Sequence, residues 1–370
     1  RNEIASVDFS GNYITTIPTG CFTNFSPTNI ILTNNPITDY SGLCSADRLT
    51  HLSITNPVSD PSFLTCMNKL TYLTLSYQTW ASLPDLGDNP LNNVRFNNSS
   101  ALTDITALCD TPNNGWSGTS TTTTDKLMWY LDATYCNLQD WPLWTAYNNG
   151  ERLYVHWELR LNHNPDLENL LIFTPSFQDG SGYTSWNKTG HWSYHQIYLN
   201  NTAVTNTAAS LGVLRNWLYA GRVFLDYNPQ LTDLSAMFTD QTNYTRQQYY
   251  DDKTFWYIYA THCDLTSIEF MDKNSFAGIS HVYFANNNNL DYHTLLNIKD
   301  TLISLKNNNQ IRLSYIDLTN SAWGLKLQDG TYEKCTNGQL HESLQMRNEL
   351  IDAGINIAIN GYSSSTKASC

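Results

Sequence analysis

The sequence predicts an α/β repeat solenoid built on one parallel β-sheet, and three observations carry that prediction. Apolar residues come in short alternating sets, as Val7 and Phe9 do, so both side chains of a set leave an extended strand on the same face. An amide or thiol side chain follows several of these sets at one fixed offset: Asn12, Asn35, Cys136, Asn164, Asn228, Cys263 and Asn287. The whole group recurs roughly thirteen times, at leads about 21 to 39 residues apart. One unit cannot bury its own apolar edge, whereas stacked copies can.

The units follow in order. Ile4, Val7, Phe9, Asn12, Ile14, Ile17 and Pro18 set the pattern, and Ile30, Leu32, Asn35 and Ile37 repeat its core. Leu49, Leu52 and Ile54 come next, then Leu70, Leu73, Leu75, Trp80, Leu83 and Pro84, with Gln78 in the asparagine place. Leu91, Val94 and Phe96 make a fifth unit. Met128, Leu131, Ala133, Cys136, Leu138, Trp141 and Pro142 match the whole motif with cysteine for asparagine. Leu159, Leu161, Asn164, Leu167 and Leu170 follow, then Ile197, Leu199 and Val204, then Val223, Leu225, Asn228, Leu231 and Leu234. Phe255, Ile258, Ala260, Cys263, Leu265 and Ile268 repeat the cysteine form. Ile279, Val282, Phe284, Asn287 and Leu290, then Leu313, Ile316, Leu318 and Trp323, and finally Ile355, Ile357 and Asn360 close the series. At each asparagine the chain turns sharply, and the side-chain amide can satisfy backbone groups that the turn would orphan.

This spacing resembles the leucine-rich-repeat family over nearly the whole chain. The resemblance implies a curved horseshoe, with the sheet on the concave face and irregular loops, turns and a few helices on the convex face. It also implies recognition of a macromolecule without chemistry. The organisation expected is a single solenoid over 1–370: short regular repeats in 1–109, an inserted loop at 110–125, longer irregular repeats in 126–339, and a helix–strand cap and tail in 340–370. Within the third part, 173–192, 238–254 and 326–337 read as insertions. Apolar residues three and four apart predict helices near 292–306 and 340–353.

Composition bounds the partners. The net charge is −13 with 20 Lys plus Arg, so nucleic acid and anionic membranes are poor partners. No apolar run has the length of a membrane span. Charged residues are only 14%, with Asn, Thr, Ser and Tyr in their place, which points to an extracellular or cell-surface setting.

Of the 8 cysteines, Cys21, Cys44 and Cys66 occupy matching places in successive units. Stacked repeats bring such places within disulfide reach, so Cys21–Cys44 is expected, leaving Cys66 for Cys109. Cys335 and Cys370 are expected to tie the last helix to the tail. Cys136 and Cys263 take the turn position and read as buried free thiols. Asn24, Asn97, Asn98, Asn187, Asn200 and Asn243 head Asn-x-Ser/Thr sequons, with Asn187 and Asn243 the best placed in insertions.

No catalytic constellation emerges, and neither a cofactor nor a metal is expected. His191 and His195 are four apart but lack the intervening glutamate of a zinc protease. His262 and Cys263 form a turn pair, and no nucleophile elbow, phosphate loop or dinucleotide fingerprint occurs.

The candidate site is the solvent side of the sheet. Its central column reads Asp8, Ile31, Ser53, Thr74, Arg95, Asp132, Arg160, Tyr198, Phe224, Tyr259, Tyr283 and Asp317. Four successive units thus carry an aromatic ring at one place, flanked by Tyr257 and Tyr315, with Arg222, Asp226 and His281 as polar handles. Such a stripe suits a protein, a glycan chain or a copy of this chain; a ladder that only stabilises neighbouring strands is the competing reading. The function expected is extracellular recognition or adhesion. The alternative is a filament or coat subunit, because Ile4 already belongs to a repeat and end-to-end contacts that do not close make fibres.

Overall fold

The computed structural model describes residues 5–111, 126–139, 153–170, 195–216, 220–238, 257–321, 334–360 and 362–370. The chain divides into two compact units, Arg1–Trp192 and Ser193–Cys370. In the first, β1 (Ser6–Asp8), β2 (Asn29–Ile31), β3 (His51–Ile54), β4 (Tyr72–Leu75), β5 (Asn93–Arg95), β6 (Lys126–Asp132) and β7 (Leu153–Arg160) pair in sequence order, every pair parallel. In the second, β8 (His195–Tyr198), β9 (Ala220–Phe224), β10 (Tyr257–Tyr259), β11 (His281–Tyr283), β12 (Tyr315–Asp317) and β15 (Asn356–Ala358) do the same. The remaining strands, β13 (Cys335–Thr336) and β14 (Gln339–Leu340), form a hairpin. Its Asn337–Gly338 turn has φ of 53° and 79°, the left-handed pair that a two-residue hairpin needs.

The strands are short because each repeat reverses direction soon after its apolar set. The core member of each strand stacks on its neighbour: Ile30, Leu52, Leu73, Val94, Leu131 and Leu159 are buried in register. Val223, Ile258, Val282, Ile316 and Ile357 do the same in the second unit. The turn itself is a repeated left-handed residue. Gly11, Asn34, Tyr77, Asn98, Tyr135, His163, Asn201, Tyr227, His262, Asn286 and Asn320 all have φ between 54° and 69°, each three residues beyond the central strand position. Their N–H groups reach the next repeat, as in Asn98 to Thr134 (2.8 Å), Tyr135 to Asn162 (3.0 Å) and Tyr227 to Thr261 (2.9 Å). Glycine enters this conformation freely and asparagine readily, whereas a tyrosine meets a cost of roughly 1 kcal/mol.

The next residue holds the stack together. The Asn228 amide donates to the carbonyls of Leu225 (2.7 Å) in its own repeat and Leu199 (2.9 Å) in the one before, and accepts from Thr202 N–H (2.7 Å). Asn35, Asn164 and Asn287 make the same three links. Gln78, one methylene longer, reaches Ser76 and Asn56 carbonyls and accepts from Val58 N–H. Where cysteine replaces asparagine, the thiol keeps the donor link: Cys136 to Phe96 (3.4 Å) and Cys263 to Leu225 (3.2 Å). Burial pushes both thiols up to about 12.

Two helices close the second unit. α1 (Tyr292–Asn307) is capped by Asp291, which accepts from His293 N–H, and buries Tyr292, Leu295, Ile298 and Leu302. α2 (Glu342–Asp352) packs on α1 and buries Leu344, Met346, Arg347 and Leu350. Arg347 is 0% exposed, an arrangement the sequence reading missed. Its guanidinium donates to the carbonyls of Ile357 (3.0 Å), Thr366 (2.7 Å) and Ser363 and lies over the Tyr362 ring, fastening β15 and the tail.

The cysteine pairing corrects one expectation. Cys44 pairs with Cys66, and not with Cys21; Cys66 is therefore not the partner of Cys109. Cys21, Cys44 and Cys66 each lie fourteen residues beyond the registered positions Val7, Ile30 and Leu52, so they share one column and Cys44 has a neighbour on either side. Cys44 and Cys66 both sit in 3-10 turns, Ser41–Ser45 and Ser62–Cys66, which present them alike. Cys21 lies in a looser turn beside the Ser45 hydroxyl, and burial raises its thiol pKa. Cys109 is buried beyond the Thr106–Leu108 turn, one place further along its repeat. Cys335 joins Cys370. The expected insertions at 110–125, 173–192, 238–254 and 326–337, with sequons Asn187 and Asn243, fall largely or wholly outside the described residues, as does His191.

Asn228→Ala strands two buried carbonyls and one N–H, so a loss of about 3 kcal/mol is expected in urea unfolding. Asn228→Cys is expected to recover part of it, as Cys263 does in the next repeat. Non-reducing peptide mapping is expected to find Cys44 linked to Cys66. In the native chain, alkylation is expected at Cys21 and not at Cys136 or Cys263; ready modification of either turn thiol would contradict its donor role.

Candidate functional site

The strand register places Tyr198, Phe224, Tyr259 and Tyr283 in one outward column of the second unit, with Asp317 next. The rings stack face to face: Tyr198 on Phe224 at 4.4 Å, Phe224 on Tyr259 at 4.6 Å, and Tyr259 on Tyr283 at 4.4 Å, with planes 4°, 10° and 2° apart. Both faces of Phe224 and Tyr259 are therefore covered by neighbours, and edges and hydroxyls turn outward. The column two residues earlier holds Arg222, Tyr257, His281 and Tyr315. Exposed Arg222 lies 5.3 Å over the Tyr257 ring, Tyr257 stacks on His281 at 4.6 Å, and Tyr315 tilts against Tyr283 at 5.4 Å. The two columns touch through Tyr257 and Tyr259 (6.4 Å) and through His281 and Tyr283 (6.4 Å). Structure thus joins Tyr198, Phe224, Tyr257, Tyr259, Tyr283, Tyr315 and Arg222 in one patch.

Asp226 plays a different part. Its carboxylate accepts from Thr261 N–H (2.8 Å) and Oγ1 (2.8 Å), and its own N–H donates to Asn200 Oδ1 (3.0 Å). It is a strap between repeats. Asp317 uses Thr319 in the same way within one repeat.

Packing sets the protonation of the patch. Burial, then the neighbouring phenols, pushes Tyr283 up to about 12, and burial raises Tyr259 and Tyr315 as well. Burial lowers His281, so its imidazole is neutral at pH 7. Arg222 is left as the exposed cation of a neutral aromatic surface.

The first unit carries a smaller outward cluster that the sequence reading missed. Tyr130 lies between Arg95 (4.9 Å) and Arg160 (5.9 Å), and Arg160 pairs with Glu158. Its signal was available in the sequence, because Tyr130 and Glu158 lie two residues before Asp132 and Arg160, the offset that Arg222 has from Phe224. Three further exposed rings, Tyr77, Tyr135 and Tyr227, occupy the left-handed turn place. Among the described sequons, Asn24 is exposed, whereas Asn97, Asn98 and Asn200 are half-buried at turns. Asn97 Oδ1 accepts from Ser76 Oγ (2.6 Å), and Asn200 holds Asp226.

Strand, left-handed turn and bridging amide recur at one offset through both units. The fold is a leucine-rich-repeat solenoid. No protein-family model and no curated protein matches the sequence. Among solved structures the chain is similar to the APL1 leucine-rich-repeat domain, at 14% identity over 95% of this chain and 89% of that chain, with a TM-score of 0.43. It is also similar to InlJ from Listeria monocytogenes, described as including a cysteine ladder, at 13% identity over 91% and 69% of the two chains, TM-score 0.39. The mouse RP105/MD-1 complex contains a chain similar at 13% identity, over 99% of this chain and 58% of that one, TM-score 0.44. These likenesses are remote, and the fold assignment rests on the repeat geometry. No helix among the described residues is long and apolar enough to cross a membrane.

The raised Tyr283 value fixes a pH dependence. A phenol ordinarily ionises at 10.0, and burial with the neighbouring phenols moves Tyr283 to about 12. Its contribution to stability is complete below pH 10 and is lost as pH rises toward about 12. The difference in phenolate absorbance between the parent and Tyr283→Phe is expected to show ionisation well above 10; an ordinary titration would mean that the stack does not form.

Proposed function

We propose that this solenoid is an extracellular recognition module that binds a protein through the outward aromatic patch of its second unit. The observation that carries the reading is a continuous set of pre-stacked rings crowned by an exposed guanidinium. Aromatic residues and arginine dominate the energetics of protein interfaces, and rings already held by their neighbours lose little freedom on binding. The covered ring faces leave edges and hydroxyls for hydrogen bonding, which suits a polypeptide better than a stacked sugar. Two disulfides among the described residues support an oxidising compartment.

Screening the chain against an array of extracellular proteins tests this reading. Tyr259→Ala and Arg222→Ala are each expected to weaken a specific hit at least tenfold, about 1.4 kcal/mol. Tyr72→Ala, on the first unit, is expected to leave it unchanged. Hits indifferent to both patch variants would sink the proposal and return the stack to a purely structural role. If the variants instead changed sedimentation of the chain alone, the filament reading would replace it.

A further inference from the structure

Three cysteines share one column of the first unit, yet only two of them are bonded. Cys44 and Cys66 form the disulfide, with Cα atoms 5.5 Å apart, and both residues are exposed. Cys21 is a half-buried thiol, whereas Cys109, Cys136 and Cys263 are buried. Cys44 stands between two sulfurs, Cys66 in the repeat after it and Cys21 in the repeat before.

Two contacts fix how closely the first two repeats meet at this column. Gly42 N–H donates to the Ile17 carbonyl (3.1 Å), and a Cβ on Gly42 would lie 2.3 Å from that oxygen, so glycine lets the two backbones come together here. Just beyond the cysteines, Phe22 N–H donates to the Ser45 hydroxyl (3.2 Å). Cys21 and Cys44 directly precede this bonded pair, and so they stand opposite each other across the same gap. Paired strands lie about 4.8 Å apart, inside the Cα separation of about 4.4 to 6.8 Å that a disulfide bridges.

Position also sets the direction of attack. In thiol–disulfide exchange a thiolate approaches one sulfur along the line of the S–S bond, and the other sulfur leaves. The Cys44–Cys66 bond joins one repeat to the next and therefore runs along the stack. Cys21 stands on the far side of Cys44 on that same line. Exposed disulfides are also the ones that exchange readily. Burial raises the Cys21 thiol pKa, and the adjoining Ser45 hydroxyl opposes the rise by favouring the thiolate.

We propose that Cys21, Cys44 and Cys66 form a thiol–disulfide exchange site, in which the cross-link moves between neighbouring pairs of repeats. The Cys21 thiolate attacks Cys44 Sγ; the Cys21–Cys44 bond forms as the Cys44–Cys66 bond breaks, and Cys66 leaves as a thiolate. The proton given up by Cys21 passes through water to Cys66. One thiol and one disulfide are present before and after, so no oxidant or reductant is consumed. The product fastens the first repeat to the second and moves the reactive thiol two repeats along the surface. The first repeat is where a clamp adds most, because Val7, Phe9 and Ile14 are half-buried where Ile30, Leu32 and Ile37 are buried.

Thiol trapping of the full chain tests this. The chain is held at about pH 8.5, where thiols begin to ionise, without added thiol or oxygen, and is then quenched with excess N-ethylmaleimide. Asp-N cleavage before Asp8, Asp39, Asp47 and Asp60 puts the three cysteines on separate peptides. The major product expected carries label on Cys21 beside a Cys44–Cys66 bond. The minor one carries label on Cys66 beside a Cys21–Cys44 bond, in about one chain in a hundred or more. Its share should not change on tenfold dilution, because the exchange stays within one chain. Cys21→Ser removes the attacking sulfur and should abolish label at Cys66. Cys66→Ser leaves Cys44 a single partner and should form the Cys21–Cys44 bond in a glutathione redox buffer, with circular dichroism checking its fold. The parent trapping decides the question even where Cys66→Ser does not fold. No label on Cys66 in the parent, label there that persists in Cys21→Ser, or a share that falls on dilution would each overturn the proposal. A folded Cys66→Ser chain in which Cys21 and Cys44 both take label would do so as well.

Discussion

The structure depends on one constraint: each repeat must leave its strand after a few residues without abandoning buried backbone groups. The asparagine position meets it. One amide holds the carbonyl just beyond its own repeat's strand, the corresponding carbonyl of the repeat before, and an N–H beyond that repeat's turn, as Asn164 does with Leu161, Ala133 and Leu138. Each bridge both closes a turn and fixes the distance to the next copy. Stacking, register and repeat spacing therefore share a cause. The demand is strict for a donor and looser for the rest, which is why thiols serve at Cys136 and Cys263.

Because the inward half of every repeat is fixed in this way, the outward half is free to vary. The two units use that freedom differently. In the second, successive rings stack on one another and cover their own faces, leaving a neutral surface of edges, hydroxyls and one guanidinium. In the first, the equivalent positions hold mostly polar residues, one His51–Tyr72 stack and the arginines around Tyr130. At the turn, Tyr135 and Tyr227 each stack on a histidine of the next repeat and follow a repeat with asparagine at this place. One residue type thus makes two kinds of surface, and neighbouring repeats decide which.

The cysteines show the same dependence on context. Cys44 and Cys66 form a cross-link because adjacent repeats present them alike. Cys136 and Cys263 are backbone donors in buried turns. Cys21 stands in the column of the disulfide yet remains a thiol.

The sequence by itself determined the solenoid. A recurring apolar set followed by asparagine or cysteine is a local pattern, and its meaning survives without any knowledge of the neighbours. The outward column containing Tyr198, Phe224, Tyr259 and Tyr283 was legible for the same reason, since alternation along a strand fixes which residues share a face. Only the tertiary structure decided the rest. The choice of Cys66 over Cys21 by Cys44 lies between two places that are equivalent in sequence. Asp226 looked like a polar handle and became a strap, because Thr261 of the following repeat captures its carboxylate. The buried Arg347 gathers carbonyls from β15 and the tail, partners with no fixed spacing along the chain. Ring stacking, covered faces and open faces depend on which side chain stands one repeat away. That distance is a single strand spacing in the folded molecule and more than twenty residues in the sequence.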